Sequence, residues 1–552
     1  MIMKKYIGLS IIALSMGLAS CNDFLDKLPD NRTEANTEEK IQKLLVAAYP
    51  THDHMLFTEY ASDNVDDMGA NNPYTDRFLD QVYSWTDVTE TNNQDPESYW
   101  MDLYQCIETA NLALEGLEKM GGATTTTQKE MEAEALICRA YAHFMLVNVF
   151  AQHYNANDAA ALGISYVTAS ETELNPKYER ETVHENYAHI AEDLEAALPY
   201  VGDSYYNVPK YHFNKLAAYA FATRFYLYYE KYDKAIEYAN KVLGTNPKTM
   251  LRNNQKIASL SRDPEVVEQY YINANQSDNL LLLTSYSKQG VFCGPYYTGK
   301  RYSHNEYIGM NEDVVAISGL WGGSYDSYLA QIARYSGTNL NAWLRWTVPA
   351  LFEYTDPVAG NGYYHAVYSA FTADEVLINR AEAYTMLKQY DKAYKDLTTW
   401  VQNAVVANLQ SFEVTKDNLN AYLSSLSYAY EDDNHMASSL KKHLHPKFGI
   451  DTEGSEQENL IQYILAVRRY ETLHVGLRWF DIKRWGIEIP RRTMAGDGKP
   501  LKVTDWLKVD DPRRAIQIPQ KVREAGYTPN PRPESSNGTE GALIPDSYLL
   551  KN

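Results

Sequence analysis

Two distant stretches of this 552-residue chain read as the same piece of structure. "LAAYAFATRFYLYYEKYDKAIEYANKVL" begins at Leu216 and "DEVLINRAEAYTMLKQYDKAYKDLTTWV" begins at Asp374. Aligned on "YDKA" (Tyr232 to Ala235, Tyr390 to Ala393), they also match Tyr226 with Tyr384. Each spacing predicts a helix, a tight polar turn and a second helix with a small residue facing the first. Such a pair cannot bury its apolar face alone, so it calls for an array of neighbouring pairs. The chain is therefore expected to be mostly α, a helical-repeat scaffold.

The remaining blocks fill out that array. "ESYWMDLYQCIETANLALEGLEKM" sets Trp100, Leu103, Tyr104, Ile107, Ala110, Leu114 and Leu117 on one stripe, ended by Gly121 and Gly122. An alanine-rich helix, "KEMEAEALICRAYAHFMLVNVF", follows. Helix pairs near 97–152 and 182–229 bring the stack to about four, and the units are similar to degenerate tetratricopeptide repeats of about 34 residues. Cys106 and Cys138 sit in these helical patterns and read as buried thiols. The chain is too poor in cysteine for a disulfide framework.

The N-terminus is of another kind. Lys4 and Lys5 precede an apolar run, Ile7 to Ala19, shorter than the roughly 20 residues that span a bilayer but suited to a secretory signal. It stops at "LASC", which resembles the lipobox of bacterial lipoproteins, with Cys21 as the acylated residue. No later run approaches transmembrane length by this reading. The expected layout is a signal peptide (1–20), a lipidated tether (21–40) and a helical-repeat region (41–277). A loop-rich aromatic insertion (278–371), a further repeat (372–408) and an irregular C-terminal subdomain (409–552) follow. Loss of the leader takes two lysines and no acid, so the net charge of −21 becomes −23. So acidic a chain does not suit nucleic acid, whose phosphates need a basic face, nor a membrane held by surface charge. A lipid on Cys21 would supply the anchor.

Motifs for chemistry are weak. "GPYYTGK" (Gly294 to Lys300) fits the P-loop spacing, but Arg301 stands where Ser or Thr would hold magnesium. His52 and His54 in "THDHM" lack a third ligand and read as a solvated turn. No cofactor is expected and no metal site is assigned. "YASDNVDDMG" groups Asp63, Asn64, Asp66 and Asp67, a pattern open to sugar contact, helix capping or calcium, although the twelve-residue calcium loop is missing. Trp85 follows in a polar, turn-like setting. The insertion 278–371 is rich in glycine and aromatics, and its weak periodicity indicates loops, short strands and short helices, a usual place for a binding surface.

"VRRYETLHVGLRWFDIKRWG" (Val467 to Gly486) closely resembles the C-terminal signature of the SusD/RagB family, the nutrient-binding lipoproteins of Gram-negative outer membranes. "CNDFLDKLPDN" after the lipobox, "TADEVLINRAEAY" (Thr372 to Tyr384) and "AIQIPQKVREAGYTPNPR" (Ala515 to Arg532) agree with it in order along the chain. Within the signature, Arg468, Arg469, Glu471, Arg478, Asp481 and Arg484 recur every three or four residues and are expected to pair along a helix, over inward-facing Trp479, Phe480 and Trp485. The resemblance implies four tetratricopeptide-like units, a SusC-like TonB-dependent outer-membrane barrel as partner, and cell-surface exposure. It also implies that the acidic stretch and the middle insertion meet on one face. The expected ligand is a glycan or oligosaccharide, with a peptide as the alternative and a surface glycoside hydrolase or a purely structural lid as further rivals. The expected shallow site joins Asp63, Asn64, Asp67 and Trp85, which would stack on a sugar, to Cys293, Tyr296 and Arg345, with Trp321 and Tyr325 as the fallback.

Overall fold

The computed structural model describes residues 35–69, 72, 74–172, 176–294, 299–313, 319–321, 329, 333–336, 341–405, 409 and 411–533. Cys21, Tyr296 and Tyr325 therefore lie outside the described residues. The first half of the chain is helical: α1 (Glu38–Val46), α2 (Met55–Ala61), α3 (Arg77–Tyr83), α4 (Pro96–Lys119), α5 (Thr126–Phe150), α6 (Val183–Ala197), α7 (Lys215–Tyr228) and α8 (Tyr232–Leu243). Four shorter helices, α9 (Asn254–Ala258), α10 (Pro264–Tyr271), α11 (Gln289–Cys293) and α12 (Glu306–Asn311), lead through the middle of the chain. Long helices return with α13 (Ala373–Met386) and α14 (Tyr390–Ala404), followed by α15 (Lys416–Ser424), α16 (Glu456–Glu471), α17 (Arg478–Arg484) and α18 (Gln520–Glu524).

The long helices begin where side chains can satisfy their free N–H groups. Asp95 caps α4 with Pro96 in the first turn, and Thr125 and Gln128 form a capping box on α5. Hairpins α4–α5, α7–α8 and α13–α14 stack in one large core, with α13 also packed on α8 and α16. The two "YDKA" copies turn identically. Glu230 (φ 60°) and Lys388 (φ 57°) occupy the left-handed region. The next amides, of Lys231 and Gln389, reach back to the carbonyls of the matched Tyr226 and Tyr384, each at 2.8 Å.

The pairing expected near 182–229 is different in detail. Helix α6 packs along α5 and reaches α7 through rings such as Tyr187 on Phe225, 5.6 Å between centroids. Helix α5 is also long and apolar enough to cross a membrane by length and composition, contrary to the sequence reading, but 94% of its apolar 18-residue stretch is buried inside the protein. The middle segment holds more regular structure than its weak periodicity indicated. Strand β2 (Asn279–Tyr286) pairs with β7 (Asn361–Thr372), which pairs with β6 (Leu351–Asp356), all antiparallel. Because β2 is covered on both faces, its apolar residues run together instead of alternating. A second sheet has the order β3-β1-β8-β9, from Tyr302–Ser303, Asp66–Asp67, Ile489–Met494 and Pro500–Leu507. Strands β4 (Ala333–Ser336) and β5 (Asn341–Leu344) form a separate pair.

Ala235 and Ala393, equivalent in the two copies, are each 0% exposed. Leucine at either position would overpack a closed helix contact. Ala235→Leu and Ala393→Leu are each expected to cost about 1–3 kcal/mol. Thermal unfolding of both variants, with a clear drop for each, is the check.

Candidate functional site

The acidic stretch and the middle insertion do meet. Strand β1 pairs antiparallel with β3, setting Asp66 against Ser303 and Asp67 against Tyr302. Behind this seam lies a dense set of buried charges that reassigns most of the expected site residues. Asp63 accepts a two-pronged contact from Arg478, at 2.8 and 2.9 Å, and its carbonyl accepts from Arg469 at 2.7 Å. Asn64 is 0% exposed, its amide donating to Glu59 and its oxygen accepting from Arg469 at 2.8 Å. Asp66 is clamped by Arg492, which also reaches Glu312 at 2.7 Å, and Lys442 meets that same glutamate at 2.7 Å. Buried guanidinium and ammonium groups beside Asp63 and Glu312 outweigh desolvation and hold both carboxyls below the usual carboxylate range. Each of these groups is buried and engaged with a partner inside the protein. Among the described residues no cluster of three or more His, Cys, Asp or Glu could hold a metal.

The signature helix is the hub of this network, and its arginines pair across the fold more than along the helix. Arg468 and Arg484 share Glu382 of α13 and Asp481. Arg345 is likewise a core group: it binds Glu471 at 2.9 Å and the Tyr470 carbonyl at 2.6 Å, with its guanidinium 4.4 Å from the Tyr470 ring centroid. Gly476 turns the chain between α16 and α17 at φ 75°, where a Cβ would stand 2.2 Å from Thr58 Oγ1. Its amide donates to Glu59, as does that of His474. His54 is not in a solvated turn either. Its ring packs on Tyr99 and Phe480, and burial pulls its pKa down to about 3.

Trp85 and Cys293 are buried too. Trp85 donates from its indole to the Ala61 carbonyl at 2.9 Å, and the Arg491 guanidinium lies 3.9 Å from its ring centroid. Its backbone holds φ 53° at the end of α3. An alanine there would injure the fold before any ligand contact. Cys293, at the end of α11 within the insertion, has Gln289 Nε2 at 3.2 Å from its sulfur. Its thiol is pushed above its ordinary range by burial. Trp321 is half-buried against the core. Lys300, the P-loop look-alike, is a staple: it donates to the carbonyls of Phe292 and Gly294, and burial lowers its pKa to about 8.

What remains at the surface of the seam is a small set. Asp67 meets Arg301 in a two-pronged pair, at 3.0 and 3.1 Å, and the arginine side chain is 36% exposed. Tyr302 donates to Asp80 at 2.6 Å, and Arg301 lies 3.8 Å from the same carboxylate. Tyr74 bridges to this strand, its amide on the Gly299 carbonyl and its own carbonyl accepting from Arg301. The residue is 50% exposed, and its ring lies over Gly299, whose φ of 71° is one that a side chain disfavours. A half-exposed tyrosine beside an acceptor–donor pair suits a polyhydroxylated ligand. Sequence reading missed Tyr74 and Arg301. The available signal was their place, one after the turn residues "NNP" and the other where a P-loop hydroxyl would stand.

A protein of this build, a helical-repeat frame carrying loops over a buried arginine hub, has clear relatives. A SusD-like family model, described as starch-binding associating with outer membrane, matches residues 23–227. The fold is similar to that of a candidate sugar-binding protein of Bacteroides vulgatus, with TM-score 0.61 and 19% identity over 91% of this chain and 99% of the other. A SusD superfamily protein of Bacteroides thetaiotaomicron gives 0.59 at 17% identity, over 90% and 100%. A SusD-like carbohydrate binding protein of Bacteroides vulgatus gives 0.59 at 14%, over 89% and 96%. No curated protein matches the chain. The chain thus resembles the SusD-like family in sequence over residues 23–227 and shares the fold of SusD-like proteins over about nine-tenths of its length.

Asp63→Asn would leave Arg478 without its buried counter-charge, at a cost of about 3–5 kcal/mol at neutral pH. The folded carboxyl titrates below its ordinary 3.8, so its contribution is complete above about pH 4 and is lost as the pH falls further. Denaturant unfolding at a series of pH values should show the wild-type advantage at pH 7 narrowing below pH 4.

Proposed function

We propose that this chain is a lipid-anchored protein of the outer-membrane surface that captures a neutral glycan and passes it to a SusC-like TonB-dependent barrel, without catalysis. The observation that carries the reading is the half-exposed Tyr74 beside the Asp67–Arg301 pair. A sugar presents an apolar C–H face to the ring and hydroxyls to the partly exposed guanidinium, which donates to them. The family description and the sugar-binding names of two structural neighbours support a glycan over a peptide. The net charge of −21 favours a neutral glycan over an acidic one. Both carboxylates at the seam are engaged in holding loops together, Asp67 with Arg301 and Asp80 with Tyr302, which supports binding and not hydrolysis. The lipobox at Cys21 supports the anchor, and the transporter partner rests on the family resemblance.

Tyr74→Ala removes a surface ring and is expected to weaken glycan binding about tenfold, roughly 1.4 kcal/mol, with the melting temperature unchanged. The ligand is first found on an array of neutral oligosaccharides and short peptides, and both proteins are then titrated by calorimetry. Equal affinities would move the site away from the seam, and binding of peptides alone would overturn the glycan. Cys21→Ala should leave the full-length chain unacylated and absent from the outer-membrane fraction, with its circular-dichroism spectrum intact.

A further inference from the structure

The expected site comes apart in the structure, and the part that held Trp85 opens onto a second cavity. This cavity, of about 260 Å³, lies between the loop after α3 and the C-terminal stretch around α18. Ligand pockets span roughly 300–1,000 Å³, so it has room for the end of an oligosaccharide and not for a large cofactor. Val88, Pro96 and the edge of Trp85 give it an apolar floor, while Thr89, Thr91 and Gln520 offer hydroxyl and amide groups at its rim. Its three cations are already matched: Lys521 with Glu97, Arg532 with Asp87, and Arg513 with Asp505 and Asp511. An anionic ligand would find its counter-charge taken. A neutral, hydroxyl-rich one finds partners.

Helix α3 joins this cavity to the seam. Asp80 faces the seam, where it accepts from Tyr302. The next residue, Gln81, holds the cavity loop: its amide donates to Thr89 Oγ1 at 2.8 Å and its oxygen accepts from the Thr89 amide at 3.0 Å. At the surface Arg77, three residues after Tyr74, pairs with Glu90 of the cavity at 3.0 Å, the two side chains 70% and 40% exposed. Consecutive residues of one helix thus hold the seam and the cavity loop, so the two lie side by side on α3.

From this geometry we infer that the cavity is a second subsite for the same glycan chain. It is reached over the Arg77–Glu90 pair, so affinity rises with chain length until both sites are filled. The inference rests on the seam being a glycan site. Two contacts on one chain act at high effective concentration, so the second adds affinity without needing much of its own.

The test uses a graded series of the neutral oligosaccharide class that binds best on the array, from disaccharide to decasaccharide, titrated into the soluble protein beginning at Asn22. Thr91→Trp, an exposed rim residue, fills the cavity mouth, and Gln520→Ala removes one amide without filling it. Wild type should gain at least tenfold in affinity between the shortest and longest ligands. Thr91→Trp should abolish that gain while keeping the short-ligand affinity and the melting temperature, with a partial loss in Gln520→Ala. Tyr74→Ala should weaken every length. A length gain that survives Thr91→Trp overturns the second subsite and leaves the seam reading intact. If no oligosaccharide binds wild type at all, the seam reading fails and the subsite fails with it.

Discussion

The loop side of this molecule depends on buried guanidinium groups finding carboxylates. Arg469 and Arg478 leave the signature segment and are met by Asp63, Asn64 and Glu312, three groups from two distant loops. A charge this deep is costly unless it is paired and hydrogen-bonded, so the loops have one place to lie. The same requirement operates on the scaffold side, where Arg468 and Arg484 bind Glu382 of the last repeat. One short segment thus fastens the loops to the helices. Removing a single partner strands its opposite.

The network takes up Asp63, Asn64, Asp66, Glu312 and Arg345, so the proposed ligand site is placed on its outer margin. Asp67, the last acid of the stretch, is also buried, but the arginine it holds reaches the surface. Strand β1 is only two residues long, yet it is fixed on both sides, by β3 and by β8. This is a rigid foundation for a shallow site. A long, flexible ligand such as a glycan loses conformational freedom on binding, so a surface that is already ordered limits the further cost.

The scaffold was legible in the sequence because helix pairs announce themselves through period and turn. The matched tyrosines, the small residues at Ala235 and Ala393 and the stripe from Trp100 to Leu117 all stand where the spacing put them. The long strand β2 was less legible, since a strand buried on both faces shows no alternation. The meeting of the acidic stretch with the insertion followed from the family resemblance. The roles within it did not. Asp, Asn and Arg suit a buried ion pair as well as a sugar, and burial, which a local pattern cannot report, decides between them. Trp85 in a polar stretch gave the wrong impression for the same reason: its cover, Arg491, comes from the far end of the chain.

The central claim is that ligand capture takes place on the loop seam that the buried arginine hub holds in place. Hydrogen–deuterium exchange with and without a bound oligosaccharide tests it most directly, because it reports location without altering a residue. The account predicts slowed exchange in peptides covering residues 72–80 and 299–303, with the interior of α16 and α17 unchanged. Slowed exchange confined to another surface, such as the β6–β7 hairpin, would contradict it.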